Sequence, residues 1–140
     1  MSVDTEATLA PATRFIQIAP SGRAHIQGYR CNACGAVYLD QRLACARCAD
    51  RGGLTAFEAS SRGVVHTYSI VHRSYPGIKT PFISVIVDLD DGLVLKGNLE
   101  GVDPTPSNDI FGMPVRVAFK TLEQKTSSGV PYVTYYFEPA

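Results

Sequence analysis

The C-terminal two thirds of the chain alternates apolar and polar residues with a period of two. This periodicity is typical of β-strands that bury one face. We expect strands over residues 64–71, 82–89, 93–99, 113–122 and 132–137. Asp90, Asp91 and Gly92 form a hairpin turn between the second and third strands, since an Asp-Gly pair supplies the positive φ that such turns need.

These strands follow one another through turns and short loops, which predicts a small antiparallel barrel. Their number favours a five-stranded OB-type barrel over an immunoglobulin-like sandwich, which has about seven strands. An SH3-like barrel is the main rival. The residues expected to fill most of the core are Val65, Ile70, Ile83, Val85, Val87, Val94, Val115, Val117, Phe119, Val133, Tyr135 and Phe137.

The N-terminal part has a different pattern. Residues 1–13 are small and polar, and we interpret them as a disordered or loosely held leader. We expect a short helix or extended segment around residues 15–18, a strand over 25–30, and a small hairpin near 37–39. The predicted organisation is therefore a leader with a docking segment (residues 1–27), a metal-binding ribbon (28–54) and an OB-fold domain (55–140).

The cysteines carry the most specific chemistry in the chain. All four lie in one pattern, Cys31-x2-Cys34-x10-Cys45-x2-Cys48. Two such knuckles match the spacing of structural zinc sites, in which protein thiolates occupy the whole tetrahedron and leave no position for substrate. A redox CxxC needs only one pair, and two disulfides would indicate a secreted protein. We therefore predict a structural Zn²⁺ ion, which makes the fold class mainly β, a zinc ribbon followed by the barrel.

Charge is distributed unevenly, although the net charge of the 140 residues is zero. Residues 23–73 contain seven arginines and three carboxylates, whereas residues 74–140 contain five cations and eight carboxylates. This asymmetry favours an anionic ligand near the first half, or simply a solvated basic surface. Single-stranded nucleic acid is a weaker alternative, because the barrel half is acidic and the chain has no Trp.

The sequence predicts neither export nor insertion into a membrane. The first residues lack the apolar segment of a signal peptide, and no apolar run approaches the ~20 residues that span a bilayer. We expect a cytoplasmic protein that does not use a membrane.

Several motifs together resemble the zinc-ribbon plus OB-fold proteins associated with acyl-CoA metabolism, long catalogued as a domain of unknown function. The resemblance covers residues 14–140. It rests on the segments YRCNACG (29–35), LACARC (43–48), GVVHTYSIV (63–71), PFISVIVDL (81–89), GMPVRV (112–117) and FEPA (137–140). The chain departs from the family where Leu39, Asp40 and Gln41 replace common prolines, and where residues 121–131 exceed the minimal hairpin.

The resemblance implies an accessory subunit with no catalytic residue of its own. Its partner would be a thiolase-superfamily enzyme in a hetero-oligomer, or alternatively a hydratase-type enzyme, and it would help bind CoA or acyl-CoA. A scaffold that binds a partner but no CoA is a further alternative. Because guanidinium groups bind phosphates well, Arg42, Arg47, Arg62 and Arg73 are candidate CoA contacts. His72 is a further candidate, because it precedes a turn-rich loop at the mouth of the barrel, where ligands commonly bind. The candidate partner-docking residues are Phe15, Ile16 and Ile18.

Overall fold

The computed structural model of the chain describes residues 9–105 and 109–140. Within these residues the secondary structure consists of β-strands. They are β1 (Ala10–Pro11), β2 (Ile16–Ile18), β3 (Ala24–Cys31), β4 (Val37–Tyr38), β5 (Leu54–Glu58), β6 (Arg62–Val71), β7 (Phe82–Leu89), β8 (Val94–Leu99), β9 (Pro114–Lys125) and β10 (Pro131–Pro139). No helix in the described part of the chain is long and apolar enough to cross a bilayer.

The chain divides into two compact units, each containing parts of β9 and β10. The first unit comprises the described residues up to Ala59 together with Phe119–Thr134, and the second comprises Ser60–Ala118 and Tyr135–Ala140. The domain boundaries predicted from the sequence, after residues 27 and 54, stay predictions. The first eight residues of the predicted leader, and residues 106–108 of the predicted loop, lie outside the described residues.

In the first unit β3 is the central strand. It pairs antiparallel with β2, β4 and β5. The side chains of Ile16 and Ile26 face each other in the β2–β3 register, and both are buried. Part of the predicted leader is ordered here, because Ala10 and Pro11 form β1 and pair in parallel with β10.

Strands β6 to β10 confirm the predicted five-stranded barrel. Its strands follow the order β10-β8-β7-β6-β9, and a β9–β10 pairing closes the ring. β7 pairs antiparallel with β6 and β8, and β6 pairs antiparallel with β9. The barrel is not antiparallel throughout, because β8 and β10 run parallel where Leu99 meets Phe137.

Gly63 lies near the start of β6, where the strand pairs with both of its neighbours. It pairs with Leu89 of β7 and with Val115 of β9. A Cβ atom at this position would lie 2.3 Å from the backbone oxygen of Asp88, well inside van der Waals contact. Only glycine therefore lets β6 approach β7 so closely at this end of the barrel.

The barrel core follows the predicted alternation in most strands. Ile83, Val85, Val87 and Leu89 of β7 are all buried. The prediction of Val94 as a core residue was wrong. Val94 is 54% exposed, whereas Leu93 and Leu95 are buried. The turn at Asp90–Gly92 sets this register, since the Leu89 N–H donates to the Leu93 carbonyl oxygen.

Other core residues were missed or overestimated. Ile110 is fully buried, although it lies in the stretch that the sequence indicates as a loop. Ile70, Phe119 and Tyr135 are only half-buried. Prolines and glycines flank Ile110 and interrupt the strand period there, so periodicity could not identify it.

Candidate metal centre and its surroundings

The two cysteine knuckles have the same backbone hydrogen bonds. In the first, the Cys31 N–H donates to the Ala36 carbonyl and the Cys31 carbonyl accepts from the Gly35 N–H, at 2.8 and 3.0 Å. In the second, the Cys45 N–H donates to Asp50 and the Cys45 carbonyl accepts from Ala49, both at 2.9 Å. Each knuckle is therefore a closed turn that holds its two sulfurs on one side.

The fourth residue after the first cysteine of each knuckle has a positive φ. It is Gly35 in the first knuckle, with φ of 80°, and Ala49 in the second, with φ of 66°. Backbone N–H groups also point at the leading sulfur of each knuckle: Ala33 at Cys31 (3.4 Å) and Arg47 at Cys45 (3.3 Å). N–H groups in this position stabilise negative charge on a thiolate.

The four Sγ atoms converge on one point. They all lie within 4.8 Å of one another, with 3.8 Å between Cys31 and Cys48 and 3.6 Å between Cys34 and Cys45. Sulfurs at the corners of a zinc tetrahedron with 2.3 Å bonds are about 3.8 Å apart. All four cysteines are free, and these spacings far exceed the ~2.05 Å of a disulfide bond. The site therefore fits a tetrahedrally coordinated metal ion.

The pKa values of Cys45 and Cys48 are shifted in opposite directions. The Tyr38 hydroxyl, followed by the Cys48 N–H, lowers the pKa of Cys45 to about 6. The Asp50 N–H acts to lower the pKa of Cys48, but desolvation and the three neighbouring sulfurs raise it to about 12. Four thiolates in one small volume need a divalent cation to offset their repulsion, which is the condition for metal binding.

Tyr38 connects the candidate metal centre with its surroundings, a role that the sequence pattern did not predict. Its hydroxyl oxygen accepts from the Ala46 N–H at 3.1 Å and lies 3.3 Å from the Cys45 Sγ. The Cys45 sulfur, as the main cause, raises the pKa of Tyr38, so the hydroxyl remains a donor to that sulfur. The Arg42 guanidinium carbon lies 4.4 Å from the centre of the Tyr38 ring, in a cation–π contact.

A groove of about 540 Å³ lies in the first unit beside β3 and β4. Arg14 and Asp40 form an ion pair in its wall, with 2.9 Å between Arg14 Nε and Asp40 Oδ1. Its lining residues are Arg14, Phe15, Gln27, Tyr29, Leu39, Asp40, Gln41 and Arg42. Asp40 neutralises Arg14. Arg42 also lines the groove, and it forms no ion pair with a carboxylate of the described residues.

The structure brings the four predicted metal ligands together, but it divides the candidate CoA contacts between the units. Arg42 and Arg47 belong to the first unit, whereas Arg62, His72 and Arg73 belong to the second. All five side chains are exposed. Arg62 lies in β6 opposite Arg116, and His72 and Arg73 begin the segment between β6 and β7.

The candidate docking residues differ in exposure. Ile16 is 1% exposed and belongs to the core of the first unit, whereas Phe15 and Ile18 are half-buried. Phe15 also lines the groove beside β3 and β4. The role of these residues in docking stays a prediction.

Comparison with protein-family models matches residues 57–120 to a family described as ChsH2, C-terminal OB-fold domain. A DUF35 domain-containing scaffold protein of Methanocaldococcus jannaschii is 31% identical over 114 residues, which cover 80% of this chain and 79% of that protein. Since 114 of the 140 residues are matched, the similarity includes the cysteine ribbon and much of the barrel of this chain.

Two similar proteins carry names that refer to enzyme subunits. The benzoylsuccinyl-CoA thiolase subunit BbsA of Thauera aromatica is 27% identical, and the match covers 88% of this chain and 83% of that one. The 3-oxo-4,17-pregnadiene-20-carboxyl-CoA hydratase alpha subunit of Mycobacterium tuberculosis is 36% identical over 62 residues, which cover 44% of this chain and 19% of that one.

A solved structure shares the fold. A chain of the Ltp2-ChsH2(DUF35) aldolase superposes with a TM-score of 0.63, covering 82% of this chain and 84% of that one at 24% identity. Together with the family match, this likeness identifies the barrel as an OB fold.

Proposed function

The chain belongs to the DUF35 family, and on that premise we propose that it is a non-catalytic zinc-ribbon/OB-fold subunit of a thiolase-superfamily acyl-CoA enzyme. The observation that carries the proposal is the match to BbsA, since it spans more than four fifths of both chains and so includes ribbon and barrel. Relatives of this family are subunits of larger enzymes.

The geometry of the metal centre supports a structural role for zinc. Four thiolates fill a tetrahedron, and no coordination position is left for water or a substrate carbonyl. A Zn²⁺ ion would be held by Cys31, Cys34, Cys45 and Cys48, and its binding energy would stabilise a ribbon whose strands are short. Zinc-dependent chemistry is then not the contribution of this chain.

The partner would supply the reaction. A thiolase forms or cleaves a carbon–carbon bond next to a thioester carbonyl through an acyl-cysteine intermediate. In our proposal all four cysteines of this chain bind the zinc ion, so the nucleophilic cysteine belongs to the other subunit. This chain would complete the assembly and contribute to binding of the CoA moiety.

Purification from the native host tests the proposal. The affinity-tagged chain should copurify with one enzyme in fixed stoichiometry, together with about one zinc ion per chain. Mass spectrometry should identify that enzyme as a member of the thiolase superfamily. A complex with an unrelated enzyme class, or a chain that is monomeric at physiological concentration, would refute the proposal.

A hydratase-type complex is the second candidate, favoured by the match to the hydratase alpha subunit. That match reaches only 19% of the relative, so it supports this candidate less strongly than the BbsA match supports the first. The reaction of the copurified enzyme distinguishes the two candidates. A thiolase cleaves a 3-oxoacyl-CoA with free CoA, whereas a hydratase adds water to an enoyl-CoA.

The contribution of this chain to CoA binding is tested separately. Alanine variants of Arg42, Arg47, Arg62, His72 and Arg73 should raise the KM of the complex for CoA or acyl-CoA if those side chains contact the ligand. Unchanged KM values in every variant would favour an assembly scaffold that binds no CoA. The M. jannaschii relative carries the name of a scaffold protein, which supports this narrower role.

A further inference from the structure

The first eight residues of the segment between β6 and β7, which we define as the 72–79 loop, are all exposed. Tyr75 is 81% exposed and Ile78 is 49% exposed, although both are large apolar side chains. Single exposed apolar residues are ordinary, but an aromatic and an aliphatic residue in one exposed turn form a small apolar surface, which we call the apolar tip.

A tight turn fixes that tip. The Ile78 N–H donates to the Tyr75 carbonyl oxygen at 3.1 Å, and Gly77 has a φ of 90°. Pro76 followed by a glycine with positive φ is the sequence of a type II turn. Tyr75 and Ile78 are the first and last residues of this turn, so they lie close together. Proline restricts the free loop, which lowers the entropic cost of ordering it against a partner.

The flanks of the tip are basic. Arg73 precedes the turn and Lys79 follows it, and residues 72–79 include no carboxylate. Among the described residues, neither cation forms an ion pair. The remainder of the chain from residue 80 onward carries eight carboxylates against four cations. The positive charge is therefore local to the loop.

From these observations we infer that the 72–79 loop docks into an apolar socket rimmed by carboxylates on a protein partner. The inference rests on the proposed function, in which that partner is the catalytic subunit. Tyr and Arg are the residues most enriched among those that dominate binding energy at interfaces. An extended polyanion such as nucleic acid would also be repelled by the carboxylates of the chain after residue 80. A small acidic rim on a protein would contact only the basic loop.

Binding of loop variants to the purified catalytic subunit tests the inference. Tyr75→Ala should raise the Kd of the complex by about tenfold or more, as at an interface hot spot. The double variant Arg73→Glu/Lys79→Glu should lower the association rate constant and reverse its salt dependence. The exposed residues Val94 and Lys125 provide matched controls, and Val94→Ala and Lys125→Glu should change the Kd by less than about twofold.

The zinc content and Tm of each variant serve as controls for correct folding. Both should equal those of the wild type because the substituted side chains are exposed. If the Tyr75 variant and the double variant bind as the wild type does, the docking inference is wrong while the proposed function stands.

A photo-crosslinking residue at position 75, introduced in the native host, gives an independent result. We expect an adduct with the catalytic subunit, and none from position 94. An adduct with an enzyme outside the thiolase superfamily would support docking through this loop but contradict the proposed function. An adduct with nucleic acid, or no adduct while the complex still forms, would overturn the inference.

Discussion

At the scale of single residues, the candidate metal centre combines four cysteine thiols with supporting groups of different kinds. The cysteines supply the donor atoms, and Tyr38 fixes the Cys45 sulfur while accepting from the Ala46 backbone. Groups that hydrogen-bond to a metal ligand orient it and tune its basicity. Removal of such a group should weaken metal binding without removing any ligand.

Tyr38→Phe tests this role. The variant loses the hydroxyl but keeps the ring on which Arg42 stacks. We expect the zinc affinity to fall about 10- to 100-fold, as for other supporting groups of metal sites, measured by competition with a chromophoric chelator. Tyr29→Phe is the matched control, since the Tyr29 hydroxyl bonds to Gln27 and not to a sulfur. Equal affinities in both variants would refute a supporting role for Tyr38.

The two knuckles differ in how they accommodate the left-handed backbone. Gly35 adopts it without steric cost, whereas Ala49 does so with a Cβ atom. Ala49→Gly should therefore raise the free energy of unfolding of the zinc-bound protein by about 1 kcal/mol. Gly35→Ala should lower the free energy of unfolding by a similar amount. The new Cβ atom would have no neighbouring atom within 4 Å, so the cost comes from backbone strain alone.

Denaturant unfolding at fixed zinc concentration measures both changes. Opposite signs for the two substitutions are the expected result. A loss of stability in Ala49→Gly would mean that the Ala49 methyl group makes a stabilising contact that outweighs its backbone strain.

The sequence predicted the ligands but not the residues that support them. Spacing alone identifies the four cysteines, because few other structures need two CxxC knuckles at this separation. Tyr38 appeared only as one apolar residue of a short strand, since its hydroxyl reaches Cys45 through the fold of the second knuckle. No local pattern encodes such a contact.

At the scale of elements, the barrel depends on strand register. The alternation in β7 was predicted correctly because an eight-residue strand offers four buried positions to match. The shorter β8 was assigned one residue out of register, since Leu93, Val94 and Leu95 are all apolar. A one-residue shift exchanges the buried and exposed faces of a strand, and only the turn at Asp90–Gly92 decided between them.

Gly63→Ala tests the close approach of β6 to β7. The added methyl group would meet the Asp88 backbone at 2.3 Å, and backbone atoms paired in a ladder cannot move aside cheaply. We expect the free energy of unfolding to fall by more than about 2 kcal/mol. Val64→Thr, at the adjacent exposed position, should change it by less than about 0.5 kcal/mol. A tolerated alanine at position 63 would show that β6 and β7 separate easily there.

At the scale of the whole molecule, the chain contains a ribbon with a four-cysteine cluster and a closed five-stranded barrel. The family resemblance predicted this architecture, and the structure and the comparisons confirm both parts. Arg14, Asp40 and the groove were not predicted, because residues far apart in sequence build that surface. The catalytic partner and the acyl substrate that we propose would be properties of an assembly, and no residue pattern of this chain specifies them.

Cys31→Ser should disrupt the ribbon and the complex together. Cys31 is buried at the end of β3, and in the proposed zinc site its replacement would leave three thiolates with incomplete coordination. We expect loss of bound zinc, a lower Tm and loss of the partner in size-exclusion chromatography. A variant that kept its fold and its partner but lost turnover would instead assign the metal a chemical role.

Reconstitution of turnover tests the central claim most directly. The initial rate of CoA-dependent cleavage of a 3-oxoacyl-CoA is measured for the catalytic subunit alone, for this chain alone, and for both as increasing amounts of this chain are added. The account predicts no activity from this chain, little from the isolated partner, and a rate that rises until the two are present in the stoichiometry of the complex. Full turnover by the partner alone, unaffected by adding this chain, would contradict it.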